Sequence, residues 1–329
     1  MSYLHDKIVA KQRRMGTSGR RRPRARVRGA LGLRAAATAL FMLSALAVAR
    51  FDLAAEAGRG EHAPIIVFMT DYGTFDDAVA ICKGVMLSIA PDARIVDLTH
   101  HVAPYSIADG ARFLARTTTY FPAGTIFIGV VDPGVGTQRR AVIAKSKHGQ
   151  YFVVPDNGLL TFIEDRDGIE GAREITNPAL HWPGPLSATF HGRDIFAPAA
   201  GHLAHGDDWT SAGPQVPKLV RLALHSARIS PAGISGQVVA LDGPFGNLIT
   251  NVTADLFQKL NYRLGDKVHI KVGSADLTVP YVTTFGDVPV GQPLLFIDSS
   301  DLVSLAINQG DFAKVHGIAP PVELVVSRK

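Results

Sequence analysis

At 329 residues and 47% hydrophobic, the chain has the length for about two domains and an apolar content ordinary for globular proteins. Its net charge of +5 comes from one end: residues 1–50 hold 12 Lys and Arg against one acid, Asp6, and taking these from the totals of 34 and 29 leaves 22 basic and 28 acidic residues. That acidic body carries no basic stripe and argues against nucleic-acid binding, and the single cysteine, Cys82, excludes an intrachain disulfide.

Residues 1–57 read as a leader. Residues 1–34 are basic and polar, with Arg20-Arg21-Arg22, and residues 35–49 are uninterrupted small and apolar residues. Ala47-Val48-Ala49 and Ala55-Glu56-Ala57 are candidate cleavage ends. This is the layout of a secretory signal. The apolar run is shorter than the roughly 20 residues of a membrane span. Export with cleavage is the expectation. An uncleaved leader would anchor the protein at the membrane, and a misassigned start would leave it cytoplasmic.

Beyond a polar linker, IIVFM (65–69) reads as a short, fully buried strand. A helix is expected over 76–90, with Ala78, Ile81, Cys82, Val85, Met86 and Ile89 on one face. Cys82 therefore reads as a buried structural thiol. RIVDLT (94–99) is a second strand, 106–119 a second helix and TIFIGVV (125–131) a third strand. AVIAKS and QYFVVP form an expected hairpin about His148-Gly149, and a further helix is expected from Arg193, with Pro198 inside it. Strands alternating with helices predict an α/β domain over 63–214 with a mostly parallel sheet. After a connector at 215–226, short β-rich runs predict a smaller all-β domain over 227–329. These runs are 236–242, 247–252, 267–272, 276–285, 293–298, 312–317 and 322–327.

Acidic residues and glycines follow the apolar runs, at the places where a parallel sheet would end. Open α/β sheets bind ligands there. Asp71 follows the first strand and suits a vicinal diol or a turn equally; Asp76 is the better helix cap. Asp132-Pro133-Gly134-Val135-Gly136 follows the third strand and, alone, reads as a tight turn. It is neither a P-loop nor a G-x-G-x-x-G fingerprint. Arg139 can pair with Asp132 or be solvated. His191, ahead of a helix and beside Phe190 and Gly192, is a structural or a pocket residue. No His/Cys/Asp spacing reads as a metal site, and His100-His101 is a mere adjacent pair. Asp242 to Asn247 reads as a turn.

Eight segments occur together in order: TDYGTFDDAVAICKG, VDLTHHVAPYSI, YFPAGT, VVDPGVGTQRR, PDNGLLT, TFHGRDIFAPAA, GPFGNLITN and SLAINQG. In this order and spacing the chain, over about 64–320, resembles the S-adenosylmethionine hydroxide adenosyltransferase family, related to the fluorinases and chlorinases. The resemblance implies an adenosyl pocket between the α/β domain of one subunit and the β domain of the next, in a homotrimer. It implies that Asp71 binds the ribose diol, that Tyr105 lines the pocket and that Phe245 and Asn247 contact adenine. Asp242 then lies near the methionine amino group, with Ser299 and Ser300 near its carboxylate. Asp76, Phe190 and Phe285 complete the substrate-binding candidates. Asp132, Arg139 and His191 match the family's water-activating triad, which the halogenases replace. The implied reaction is hydrolysis of S-adenosyl-L-methionine to adenosine and L-methionine by water attack at C5′. It requires no metal or redox cofactor, the adenosyl compound being the substrate. The alternatives are an exported adenosyl-ligand binding protein and a halide-dependent adenosyl transferase. Tyr105 in place of tryptophan, and Ser300 in place of arginine, depart from the fluorinase pattern.

Overall fold

The computed structural model describes residues 63–223 and 225–329; the leader lies outside them. The first sheet contains β1 (Ile65–Thr70), β2 (Arg94–Thr99), β3 (Ile126–Val130), β4 (Ala141–Ser146), β5 (Tyr151–Pro155) and β6 (Ile169–Glu174). Their order is β2-β1-β3-β5-β4-β6. β2, β1, β3 and β5 run parallel, and the β4–β5 hairpin and β6 add antiparallel pairs. The fold class read from the sequence is what the chain adopts.

β1 lies inside the sheet and is covered on both faces, hence its unbroken apolar run. Ile66 and Phe68 pack with α1 (Ala78–Ile89), through Cys82, Val85 and Met86, and with α4 (Ala197–His205), through Ala197, Ala199 and Ala200. Val67 and Met69 face the other way, onto Leu114 of α2 (Ile107–Thr118) and Ile163 of α3 (Thr161–Asp167). The period-2 alternation of a strand thus divides one sequence between two cores. Burial pushes the Cys82 thiol up to about 12, so it remains a neutral core residue.

The second domain is antiparallel. Its strands are β7 (Arg228–Ser230), β8 (Gly233–Asp242), β9 (Asn247–Thr253), β10 (Lys267–Val272), β11 (Ala275–Pro280), β12 (Pro293–Ile297), β13 (Leu302–Ile307) and β14 (Val322–Ser327). They run β11-β10-β14-β8-β9-β13-β12, with β7 on β8, and a Tyr281–Leu295 bridge draws the ends of the sheet together. The result is a barrel-like sheet around Val238, Leu248, Val268, Ile270, Leu305 and Phe312.

Several local expectations need correction. FAKVHG is a short helix, α6 (Phe312–His316), after α5 (Ala254–Gln258). Asp311 caps α6 by accepting from the Lys314 amide at 2.8 Å, and Gly317 ends it in the left-handed conformation. β13, α3 and β6 were not anticipated. The helix expected from Arg193 is a π-helical turn, Gly192–Phe196, followed by α4. Pro198 falls in the first turn of α4, where its missing N–H is not needed. The cap position of α1 is Asp77, whose side chain makes no capping bond; Asp76 instead accepts from the Ala78 amide at 3.1 Å.

The connector is tied down by a buried ion pair. Asp156, with a side chain 2% exposed, pairs with Arg140 and accepts from the Val220 amide at 2.7 Å. Arg140 also donates to the Lys218 carbonyl. Arg140→Ala would leave the Asp156 carboxylate buried without its cation. We expect a loss of about 2–3 kcal/mol, below a fully buried broken pair because the guanidinium is 36% exposed. Urea denaturation checks this; an unchanged midpoint would contradict it.

Candidate active site

Asp71, Tyr105 and Asp132 follow β1, β2 and β3, three adjacent parallel strands. Their side chains meet in a cleft of about 370 Å³, lined also by Tyr72, Thr189 and Gly192. The cleft thus sits outside the carboxyl ends of the strands, as the order of the segments predicted.

Asp71 is held from the β2 side. Its Oδ2 accepts from the Tyr105 amide at 2.9 Å, and Tyr105 takes the left-handed conformation, φ 65°, to present that N–H. No hydrogen bond from a described residue engages Oδ1, which is left to accept from a ligand. A second support lies beneath. The Tyr72 amide donates to Thr70 Oγ1 at 3.2 Å. Thr70 Oγ1 is also hydrogen-bonded to Nδ1 of buried His100, 2.9 Å away, whose Nε2–H reaches Asp97 at 3.1 Å. His100, half of a pair that looked uninformative, therefore fixes the turn that carries Asp71 and Tyr72.

The segment after β3 doubles back. Gly136 has φ 75°, and a side chain there would overlap the Ala188 carbonyl, so only glycine fits. This turn returns Arg139 onto Asp132. Arg139 Nε lies 2.9 Å from both carboxylate oxygens, and Nη2 donates to Oδ2. The Asp132 and Arg139 side chains are 5% and 11% exposed, which makes this a desolvated, charge-assisted pair. The guanidinium also lies over the buried Phe196 ring, 5.1 Å from its centre. Arg139 Nη2 donates to His191 Nδ1 at 2.8 Å.

That last contact assigns the imidazole. A guanidinium only donates, so Nδ1 is an acceptor, and neutral His191 carries its proton on Nε2. Burial, then the neighbouring Arg139 cation, holds its pKa below the ordinary histidine value. Both causes disfavour the imidazolium. If neutral His191 is needed for turnover, kcat falls as acid protonates it, on a limb below the usual histidine range. A kcat–pH profile with that limb at or above the usual range would contradict this.

The structure brings Asp71, Tyr105, Asp132, Arg139 and His191 together. Phe190 packs edge-on behind Tyr72, at 6.2 Å between ring centres. Asp76 is engaged by the Ala78 amide at the start of α1 and does not line the cleft. Within one chain the candidates of the second domain do not line it either. Asp242, Phe245 and Asn247 form the β8–β9 turn: Asn247 is buried, with Nδ2 3.5 Å from Asp242, whereas Phe245 is 63% exposed. Ser299 and Ser300 form the β12–β13 turn, where the Ser300 amide donates to Asp298. Phe285, 41% exposed, leans on Phe296. Tyr72 and Gly192 are cleft residues to which the sequence reading gave no role; an aromatic beside a strand end looks like any core residue. Among the described residues no His/Cys/Asp/Glu group could hold a metal ion.

The model of the SAM hydroxide adenosyltransferase N-terminal domain matches residues 66–213, and that of the C-terminal domain matches 236–324. The chain belongs to the SAM hydroxide adenosyltransferase family. A relative from Salinispora arenicola (strain CNS-205), named (R)-S-adenosyl-L-methionine hydrolase, is 40% identical over 80% of this chain and 98% of its own. A relative from Actinopolyspora mzabensis named fluorinase is 32% identical over 80% and 97%. The solved structure of an uncharacterized conserved protein from Thermotoga maritima superposes with a TM-score of 0.76 at 38% identity, covering 80% of this chain and all of that one. In this chain the connector falls between the two matched domains, and the cleft lies wholly in the first.

Proposed function

We propose that this chain hydrolyses S-adenosyl-L-methionine to adenosine and L-methionine, by attack of water on the C5′ carbon. The observation that carries the reading is the Asp132–Arg139–His191 cluster beside the diol-type carboxylate Asp71. Relatives named for hydrolysis and for fluorination both match, so the choice of nucleophile rests on this chain's own residues. A carboxylate at Asp132 serves a nucleophile that has a proton to lose; a halide has none.

In the proposed reaction the water oxygen bonds to C5′ as the C5′–S bond breaks. Its electron pair goes to sulfur, giving neutral methionine thioether, so the leaving group needs no acid. One proton is released. Asp132 is the anionic acceptor that faces the cleft, while His191 offers an N–H at Nε2 and an occupied Nδ1, which suits it to orient water rather than take the first proton. Arg139 fixes both. Holding the oxygen in line with the C5′–S bond contributes up to about 7–11 kcal/mol. Asp71 binds the ribose hydroxyls through its free oxygen. Incubation of the full-length protein with S-adenosyl-L-methionine, with products identified by mass spectrometry, tests the reading: adenosine and methionine support it, and unchanged substrate overturns it.

Export is part of the proposal, supported by the basic-then-apolar order of residues 1–57. Cell fractionation should find a processed protein outside the cytoplasm. A cytoplasmic protein still beginning at Met1 would contradict it. Among the described residues no helix is long and apolar enough to cross a membrane.

A further inference from the structure

Tyr72 lines the cleft and no step above uses it. Its ring is fixed by Phe190 and by the core beneath β1. Its hydroxyl makes no hydrogen bond to any described residue, although Asp132 and Arg139 beside it are paired with each other. Gly192, packed against it, explains why it has room. A methyl group at 192 would overlap the Tyr72 hydroxyl, while its distances to ring atoms Cζ and Cε2 would be 3.2 and 3.3 Å. No positive φ requires glycine at 192. The glycine is thus needed for the phenol oxygen, and Tyr72, Asp132 and Gly192 line the same cleft.

We propose that the Tyr72 hydroxyl is a further holder of the attacking water, working with Asp132 and His191. The inference rests on the hydrolytic reading above. A water molecule that gives one hydrogen to the Asp132 carboxylate and the other to the phenol oxygen has a lone pair left to aim at C5′. Burial, with Cys82 and the Asp71 and Asp132 carboxylates nearby, raises the pKa of the phenol. Tyr72 therefore remains a neutral hydroxyl and takes no part in moving the proton. It is a positioning residue, and the proton balance given above is unchanged.

The experiment is a double-mutant cycle on the full-length protein, with Tyr72→Phe, Gly192→Ala and both, reading kcat, KM and adenosine affinity. Tyr72→Phe keeps the ring and should lower kcat roughly tenfold, the scale of one lost hydrogen bond, with KM and adenosine affinity unchanged. Gly192→Ala should lower kcat similarly, by displacing the hydroxyl, and should add little in the Tyr72→Phe background, where no hydroxyl remains to displace. Full kcat in Tyr72→Phe, a loss confined to KM, or losses that multiply in the double variant would each overturn the proposal while leaving the hydrolytic reading intact. A wild-type protein that forms no adenosine would overturn the reading and the proposal with it.

Discussion

Asp132→Asn should lower kcat by about 10²–10⁴-fold, the range for a general base removed from its substrate. The substitution changes few atoms and much chemistry. Asparagine keeps the shape and one acceptor oxygen, but its amide nitrogen cannot accept a proton, and the charge that pairs with Arg139 is gone. Arg139 retains the His191 Nδ1 contact and the Phe196 face, so the guanidinium has reason to stay in place. Asp71, to which the ribose contact is assigned in the proposed function, is on a different strand end and is untouched. Adenosine affinity should therefore change little, and kcat and kcat/KM should fall together, as for an interaction made in the transition state. Steady-state kinetics with calorimetric titration of adenosine measure both. A normal kcat, or a loss explained by weaker binding alone, would remove Asp132 from the role assigned to it.

The second large effect is complementation between inactive chains. We propose that the active unit is a homotrimer whose clefts take their adenine and methionine contacts from a neighbouring subunit. Two observations support this. The cleft of one chain is lined by the first domain alone, and Tyr105 and Phe245, on different domains, are 74% and 63% exposed. Asp132→Asn damages the first-domain half of a shared pocket. Phe245→Ala damages the second-domain half, and its exposure makes it a safer change than one at buried Asn247. Each variant alone should turn over poorly at low substrate. Mixed trimers of the two should regain activity, because some pockets then draw both halves from unmutated domains. Verified mixed trimers without regained activity, or an active monomer by light scattering, would refute the shared pocket.

These sites were unequally legible in the sequence. β1 and β3 showed as apolar runs because both faces of the sheet are covered, and the residues following them, Asp71 and Asp132, fell where an α/β sheet opens. The Asp132–Arg139 pair is seven residues long and closed by a glycine turn, so local spacing hinted at it. The Arg139–His191 contact spans 52 residues and exists only once the π-helical turn at 192–196 packs on α1. No periodicity announces it; the resemblance of ordered segments did. FAKVHG reads as a strand because the five residues Phe312–His316 are too few to separate periods of 2 and 3.6, though Asp311 before them and Gly317 after them are cap signals. Tyr72 and His100 were missed because their roles depend on neighbours from other strands. The second-domain candidates were located in turns, but their partners are not in the same cleft of the same chain.

In the proposed reaction, water activated beside Asp132 attacks C5′. The most direct test of this attack is turnover of S-adenosyl-L-methionine by the full-length protein in oxygen-18 water. Adenosine should carry the label in its 5′-hydroxyl and methionine should carry none. Adenosine formed without label at that oxygen would contradict water attack.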